Sequence, residues 1–179
     1  IIALSDADDE WLPDHLAHIV GMAESFPRAG LFGTGHERRG RDLSIKVTYD
    51  SDAPTMVNLF RASQRHGLLT ASSVAVRADA LAACGGFRTG AALGEDMEWW
   101  NRLALEWPVA FHPEVTAIYH LDVSNSAVAS IAGQCTSTHV ILNSLSKSLR
   151  EGRHPNAKAE DVEAYMAHRL LDYAWWCIA

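Results

Sequence analysis

Ile1-Ile2-Ala3-Leu4-Ser5-Asp6-Ala7-Asp8-Asp9-Glu10-Trp11 runs a short apolar segment straight into four acids. An apolar run of this length with β-branched residues at its front suits a buried strand of an α/β sheet. The acids then fall just past its carboxyl end, where open α/β sheets place their ligands. Asp6, Asp8 and Asp9 repel one another unless something neutralises them, and a hard divalent cation with oxygen ligands does so. The plainer alternative is helix capping, with Asp14 standing ahead of a helical pattern. An EF-hand counted from Asp6 would need Gly and Glu where Trp11 and Ala17 stand, so that loop is excluded. An aspartyl-nucleophile phosphatase wants Thr where Glu10 stands, which weakens that reading without removing it.

The chain has 179 residues, enough for one domain with a substantial core. Its net charge of −7 argues against a nucleic-acid partner, which calls for a basic face. Cys84, Cys135 and Cys177 are far apart with no CxxC pair, so neither a disulfide framework nor a cysteine zinc site is indicated, and a reducing compartment is expected. No apolar run approaches the roughly 18 residues of a membrane span, and no signal peptide is visible. The chain opens inside what reads as a core strand, and a parallel strand needs neighbours, so a fragment of a longer protein is expected.

Further along, Leu12 to Phe26 reads as a helix, with Leu16, Ile19, Val20 and Ala23 at helical spacing. Ala29–Thr34 and Leu43–Tyr49 read as strands joined by the charged turn Glu37–Asp42. Asp52–Arg65 reads as a helix, Leu69–Arg77 as a strand, and Asp79–Ala83 as one helical turn closed by Gly85-Gly86-Phe87. Met97–Glu106 is helical, with Glu98 and Arg102 four apart and able to pair on the surface for about 0.3–0.5 kcal/mol. Val109–Phe111 and Val115–Tyr119 read as two strands split by His112-Pro113. Helical stripes follow, over Val128 to Leu149 and Val162 to Tyr173.

The segment Ile2–Asp14 resembles the Asp-x-Asp segment of family 2 glycosyltransferases of the GT-A fold. A second series strengthens the likeness: Thr70-Ala-Ser-Ser-Val-Ala-Val-Arg77, then Gly85-Gly86-Phe87, then Gly94-Glu95-Asp96-Met-Glu-Trp-Trp-Asn-Arg102. That family has a small-residue strand, a Gly-Gly-Phe turn, and an acidic pair opening a helix that carries an Arg, in this order and spacing. The resemblance covers about residues 1–126 and implies a partial GT-A catalytic domain, Rossmann-like and incomplete at its N-terminus, followed by a helical extension over 127–179. It implies transfer of a sugar from a nucleotide-sugar donor to a saccharide or lipid-linked acceptor, with inversion, using Mg²⁺ or Mn²⁺. The expected location is the cytoplasm, or the cytoplasmic face of a membrane, with the C-terminal helices serving acceptor, membrane surface or dimer contact. Trp175-Trp176 offers such a contact, or belongs to the core.

Carried over by position, Asp6, Asp8 and Asp9 match the carboxylates for metal and nucleotide-sugar, with Asp8 the foremost metal contact. Asp96 matches the general base and Glu95 its acceptor-binding neighbour. Helix-dipole preference alone would also favour acids at this position. Trp99 and Trp100 are candidates to stack on a sugar face, or are core residues. Arg102 is a candidate for phosphate, or simply Glu98's partner. Ile118-Tyr-His-Leu-Asp-Val-Ser-Asn-Ser126 resembles the family's Tyr-Arg-x-His segment, but His120 stands where Arg is usual and Asp122 where His is usual. His120 is therefore a third metal ligand only through a shift in register. The family's base- and ribose-binding segment precedes the Asp-x-Asp strand and has no counterpart here, so weak sugar-nucleotide binding by this chain alone is expected. Two rivals stand beside this reading: the phosphatase, with a covalent role for Asp6, and a non-catalytic interaction module.

Overall fold

Side-chain alternation along three strands sorts the molecule into layers. In the computed structural model, which describes residues 1–64, 67–90, 94–122 and 137–178, strands β3 (Leu31–Arg39), β6 (Val74–Val76) and β7 (Val109–His120) form the centre of a mixed sheet. Leu31, Val74, Val76, Val109 and Phe111 point into one core. Phe32, Ala75 and Ala110, each one residue out of step with these, point into the other. That is the period of two a strand imposes. The order across the sheet is β1-β6-β3-β7-β2, with β1 at Ile2–Ala3 and β2 at Glu10–Trp11; β4 (Ser44–Val47) pairs β3, and β5 (Thr55–Val57) pairs β7. Among the described residues only the β3–β7 pairing is parallel; the others are antiparallel.

Helix α1 (His15–Ser25) covers the second face through Ile19 and Met22. The first face carries α2 (Leu59–Ala62), α3 (Ala78–Cys84), α4 (Glu95–Glu106), α5 (Ser137–Arg150) and α6 (Ala159–Ile178). Trp99, Trp100 and Leu103 of α4 share one core with Ile141 and Leu145 of α5 and Val162 and Tyr165 of α6. The C-terminal helices therefore complete the core over the sheet. The expected boundary at 126/127, the apolar positions Val128 to Cys135 and the serines after Asp122 lie outside the described residues.

Several expectations are corrected. The opening strand is not buried: β1 is two residues long, pairs antiparallel with β6, and leaves Ile1 and Ile2 49% and 41% exposed. No described element covers its outer edge. In α1 the buried residues are His15, Ile19 and Met22, while Leu16 and Val20 face solvent, so the sheet-facing stripe is rotated from the expected one. Asp14 stands at the N-cap without a side-chain capping bond. The helix expected over 52–65 is instead strand β5 followed by the short α2, because Met56 takes a place in the ladder opposite Ala110 and the Asn58 side chain accepts the Arg61 N–H. The strand expected from Leu69 begins only at Val74, after a 3₁₀ turn over Ala71–Ser73. β7 runs through Pro113 unbroken. β7 itself carries the irregularity: Thr34, Gly35 and His36 of β3 pair with His112, Val115 and Ala117, so β7 bulges past Gly35, where a Cβ would come within 2.8 Å of the Pro113 carbonyl oxygen. No helix among the described residues is long and apolar enough to cross a membrane.

Candidate functional site

The acidic loop is held by one serine. The Asp6 N–H donates to Ser72 Oγ at 2.9 Å, and that hydroxyl donates to Asp9 Oδ2 at 2.6 Å. The indole N–H of Trp11 donates to the Ser72 carbonyl at 2.7 Å, and the His120 N–H donates to Asp9 Oδ1 at 3.2 Å. Asp9 thus spends both oxygens tying the loop to the 3₁₀ turn and to the end of β7. Asp6 and Asp8 remain exposed at the rim of a cleft of about 730 Å³.

Across that cleft stands the start of α4. Gly94 has φ of 74°, the left-handed region that a glycine enters at little cost, and it turns the chain so that Glu95 and Asp96 line the same cleft. Two acidic pairs nearly ninety residues apart in sequence therefore share one cavity. Arg38 of β3, Trp100 and Asn101 of α4, Tyr119 of β7, and Tyr165 and Arg169 of α6 complete much of its wall.

Electrostatics follow from this crowding. Burial pushes the Asp96 carboxyl up to about 6, with Glu95 and Asp6 adding repulsion. The Asp6 carboxyl is also raised, first by burial and then by Asp9, Asp8 and Glu95. Asp9 is raised by burial too, against the lowering pull of its Ser72 and His120 bonds. Three buried polar atoms of the lining lack a hydrogen-bond partner: Glu95 Oε2, Trp100 Nε1 and Arg169 Nε. Buried polar groups are nearly always paired, so three unpaired polar atoms on residues of one wall make that wall unusually polar beneath its surface. Asp6 and Asp8 offer the oxygen donors a hard divalent cation takes, and their mutual repulsion is what a cation would relieve. Carboxylate oxygens are the donor type that Mg²⁺ and Mn²⁺ take.

The other candidates lie elsewhere. Trp99 is buried behind the cleft, its N–H on the Gly85 carbonyl at 2.6 Å and its ring against Phe87 at 4.6 Å. Arg102 grips Glu98 at 2.9 Å and donates to the carbonyls of Cys84 and Gly86, so it braces the Gly-Gly-Phe turn. Glu98 is no surface partner. It is fully buried, and it also receives Arg88 at 2.8 Å and the Ser144 hydroxyl at 2.6 Å. His120 has its Nε2 at 3.8 Å from Glu10 and does not line the cleft. Neither Asp9 nor His120 is brought to Asp8 as a set of converging ligands. Among the described residues the three-donor cluster is a different one, His18, His112 and Glu114.

Sequence reasoning missed Tyr119, Arg169 and the anchoring role of Ser72; it read Arg38, with Arg39 and Arg41, as a phosphate contact or a solvated hairpin tip, whereas Arg38 stands on β3 and lines the cleft. Ser72 carried a signal in the small-residue run Thr70–Ser73. Arg169 sat on a helix expected to serve elsewhere and gave none. No protein-family model and no curated protein matches this chain.

Proposed function

We propose that this chain belongs to a metal-dependent glycosyltransferase of the GT-A fold, moving a sugar from a nucleotide-sugar donor to a saccharide or lipid-linked acceptor with inversion. The observation that carries the reading is the meeting of Asp6 and Asp8 with Glu95 and Asp96 in one cleft, Asp96 having its carboxyl pushed up to about 6. Such a carboxylate is ionised at neutral pH yet is a stronger base than an ordinary one, as a general base must be. Asp96 takes the proton of the acceptor hydroxyl. The hydroxyl oxygen bonds to the anomeric carbon as the bond to the diphosphate oxygen breaks on the opposite face, and that electron pair leaves with the diphosphate. Asp6 and Asp8 would hold Mg²⁺ or Mn²⁺, and such an ion would supply positive charge to offset that of the departing diphosphate.

Supporting roles fall to the remaining wall. Glu95 accepts a hydrogen bond from the acceptor, and Trp100 backs the same wall. Arg38 and Arg169 also stand in this wall, Arg169 paired with Asp172 at 2.5 Å. Leu170, Leu171 and Trp175 stand exposed on α6, the apolar surface that a membrane or dimer contact would use. The test is sugar transfer by the native-length protein with Mn²⁺ across a panel of nucleotide-sugars, beside Asp96→Asn. Transfer by the wild type, with a loss of about 10²–10⁴-fold in the variant, is the expected result. An unchanged rate in Asp96→Asn overturns the assignment.

A further inference from the structure

On the opposite face of the sheet, away from the cleft, His18 of α1 meets His112 and Glu114 of β7. One ligand atom from each lies within 4.8 Å of the others. His18 Nε2 stands 3.2 Å from Glu114 Oε2, and the two imidazole rings lie 4.0 Å apart, tilted by 46°. The placement follows from the elements. His112 and Glu114 are two apart on one strand and share its face, and His18 lies one turn beyond the buried His15 on the helix above. The Glu114 N–H donates to His112 Nδ1 at 3.2 Å, which leaves that nitrogen unprotonated and able to meet a cation once this contact gives way. An ion pair between His18 and Glu114 would account for two of the groups. It gives no reason for a second imidazole to be stationed against them.

We propose that His18, His112 and Glu114 form a transition-metal site that takes Zn²⁺, with the fourth position open to water. Two imidazoles and one carboxylate make a three-ligand zinc set. Imidazole favours zinc over the magnesium or manganese suited to the all-oxygen cleft. The ion would pin α1 to β7. Because α1 follows directly on the acidic loop and β2, it would also steady the loop that carries Asp6 and Asp8. The proposal is independent of the reading of the cleft.

The test uses the full chain, stripped with chelator and then titrated with ZnCl₂ in competition with a chromogenic chelator. Co²⁺ absorption serves as a second readout of nitrogen ligation. Wild type, His18→Gln, His112→Gln, Glu114→Gln and Asp8→Asn are compared. The expected result is one zinc per chain that survives Asp8→Asn and is weakened at least tenfold by either histidine change. Glu114→Gln, at a side chain 60% exposed to solvent, should weaken it too. Thermal stabilisation by zinc should follow the same pattern. Equal zinc affinity in the wild type and the histidine variants would overturn the proposal. So would loss of the cobalt absorption in Asp8→Asn, or no zinc bound by the wild type.

Discussion

Asp96 sets a conflict between stability and chemistry at a single residue. Its carboxyl is raised from 3.8 to about 6, first by burial, so the folded chain disfavours the charged form. A raised carboxyl costs stability as pH climbs from the unfolded value through the folded one, and the full cost is present at neutral pH. Asp96→Asn keeps an oxygen for the Met97 N–H, which Asp96 Oδ1 now accepts at 2.6 Å, while removing the charge. The variant should be more stable than wild type at pH 7 by about 1–3 kcal/mol, measured by urea unfolding, while losing transfer activity. The wild-type rate should fall on acidification with an apparent pKa near 6, as Asp96 takes up a proton. A rate indifferent to pH between 5 and 7 would remove Asp96 from the role of base.

Among the elements, α4 does two jobs through opposite sides. Glu95, Asp96 and Trp100 serve the cleft, while Glu98 faces away into a buried knot with Arg88, Arg102 and Ser144. Removing Glu98 leaves the Arg102 guanidinium without its carboxylate partner in a site it shares with the Cys84 and Gly86 carbonyls. Glu98→Ala should therefore destabilise the fold by about 3–5 kcal/mol in chemical denaturation, loosening the turn between α3 and α4. Ser72→Ala acts on the other wall. It removes the acceptor of the Asp6 N–H and a donor to Asp9, and should weaken metal-dependent ligand binding with a smaller stability loss, of about 1–3 kcal/mol. The same elements show what was legible in the sequence. The helix at Glu95, the turn at Gly85 and the acidic loop carried local signals: Gly, charge and apolar period. The split of 52–65 into a strand and a short helix carried none, because β5 exists only by pairing with β7. The burial of Glu98 was hidden for the same reason, since Arg88 and Ser144 reach it from distant parts of the chain.

Across the fold as a whole, two buried histidines weaken the folded state toward acid. Burial holds both His15 and His36 down to about 4 from 6.5, with His18 adding to the first and Arg38 to the second. Both nitrogens of His36 lack partners, and His15 donates or accepts only at Thr116, 2.8 Å away. The unfolded chain takes up these protons below about pH 6.5 and the folded one resists until about 4, so stability falls as pH drops across that window. Each shift corresponds to on the order of 3 kcal/mol once pH is well below 4. The raised carboxyls of the cleft work in the opposite sense, so the wild type is best compared with His36→Phe. Unfolding followed from pH 7 to pH 4 should show a flatter pH dependence in the variant, by about one proton. In the cleft, Asp6 and Asp8 face Glu95 and Asp96. Calorimetric titration of Mn²⁺ and a nucleoside diphosphate into the native-length protein and into Asp8→Ala reads whether that meeting of acids binds a metal and a diphosphate. Diphosphate binding that requires Mn²⁺ and disappears in Asp8→Ala is the predicted result. A wild type that binds neither, or an Asp8→Ala variant that binds both as tightly, would contradict the account.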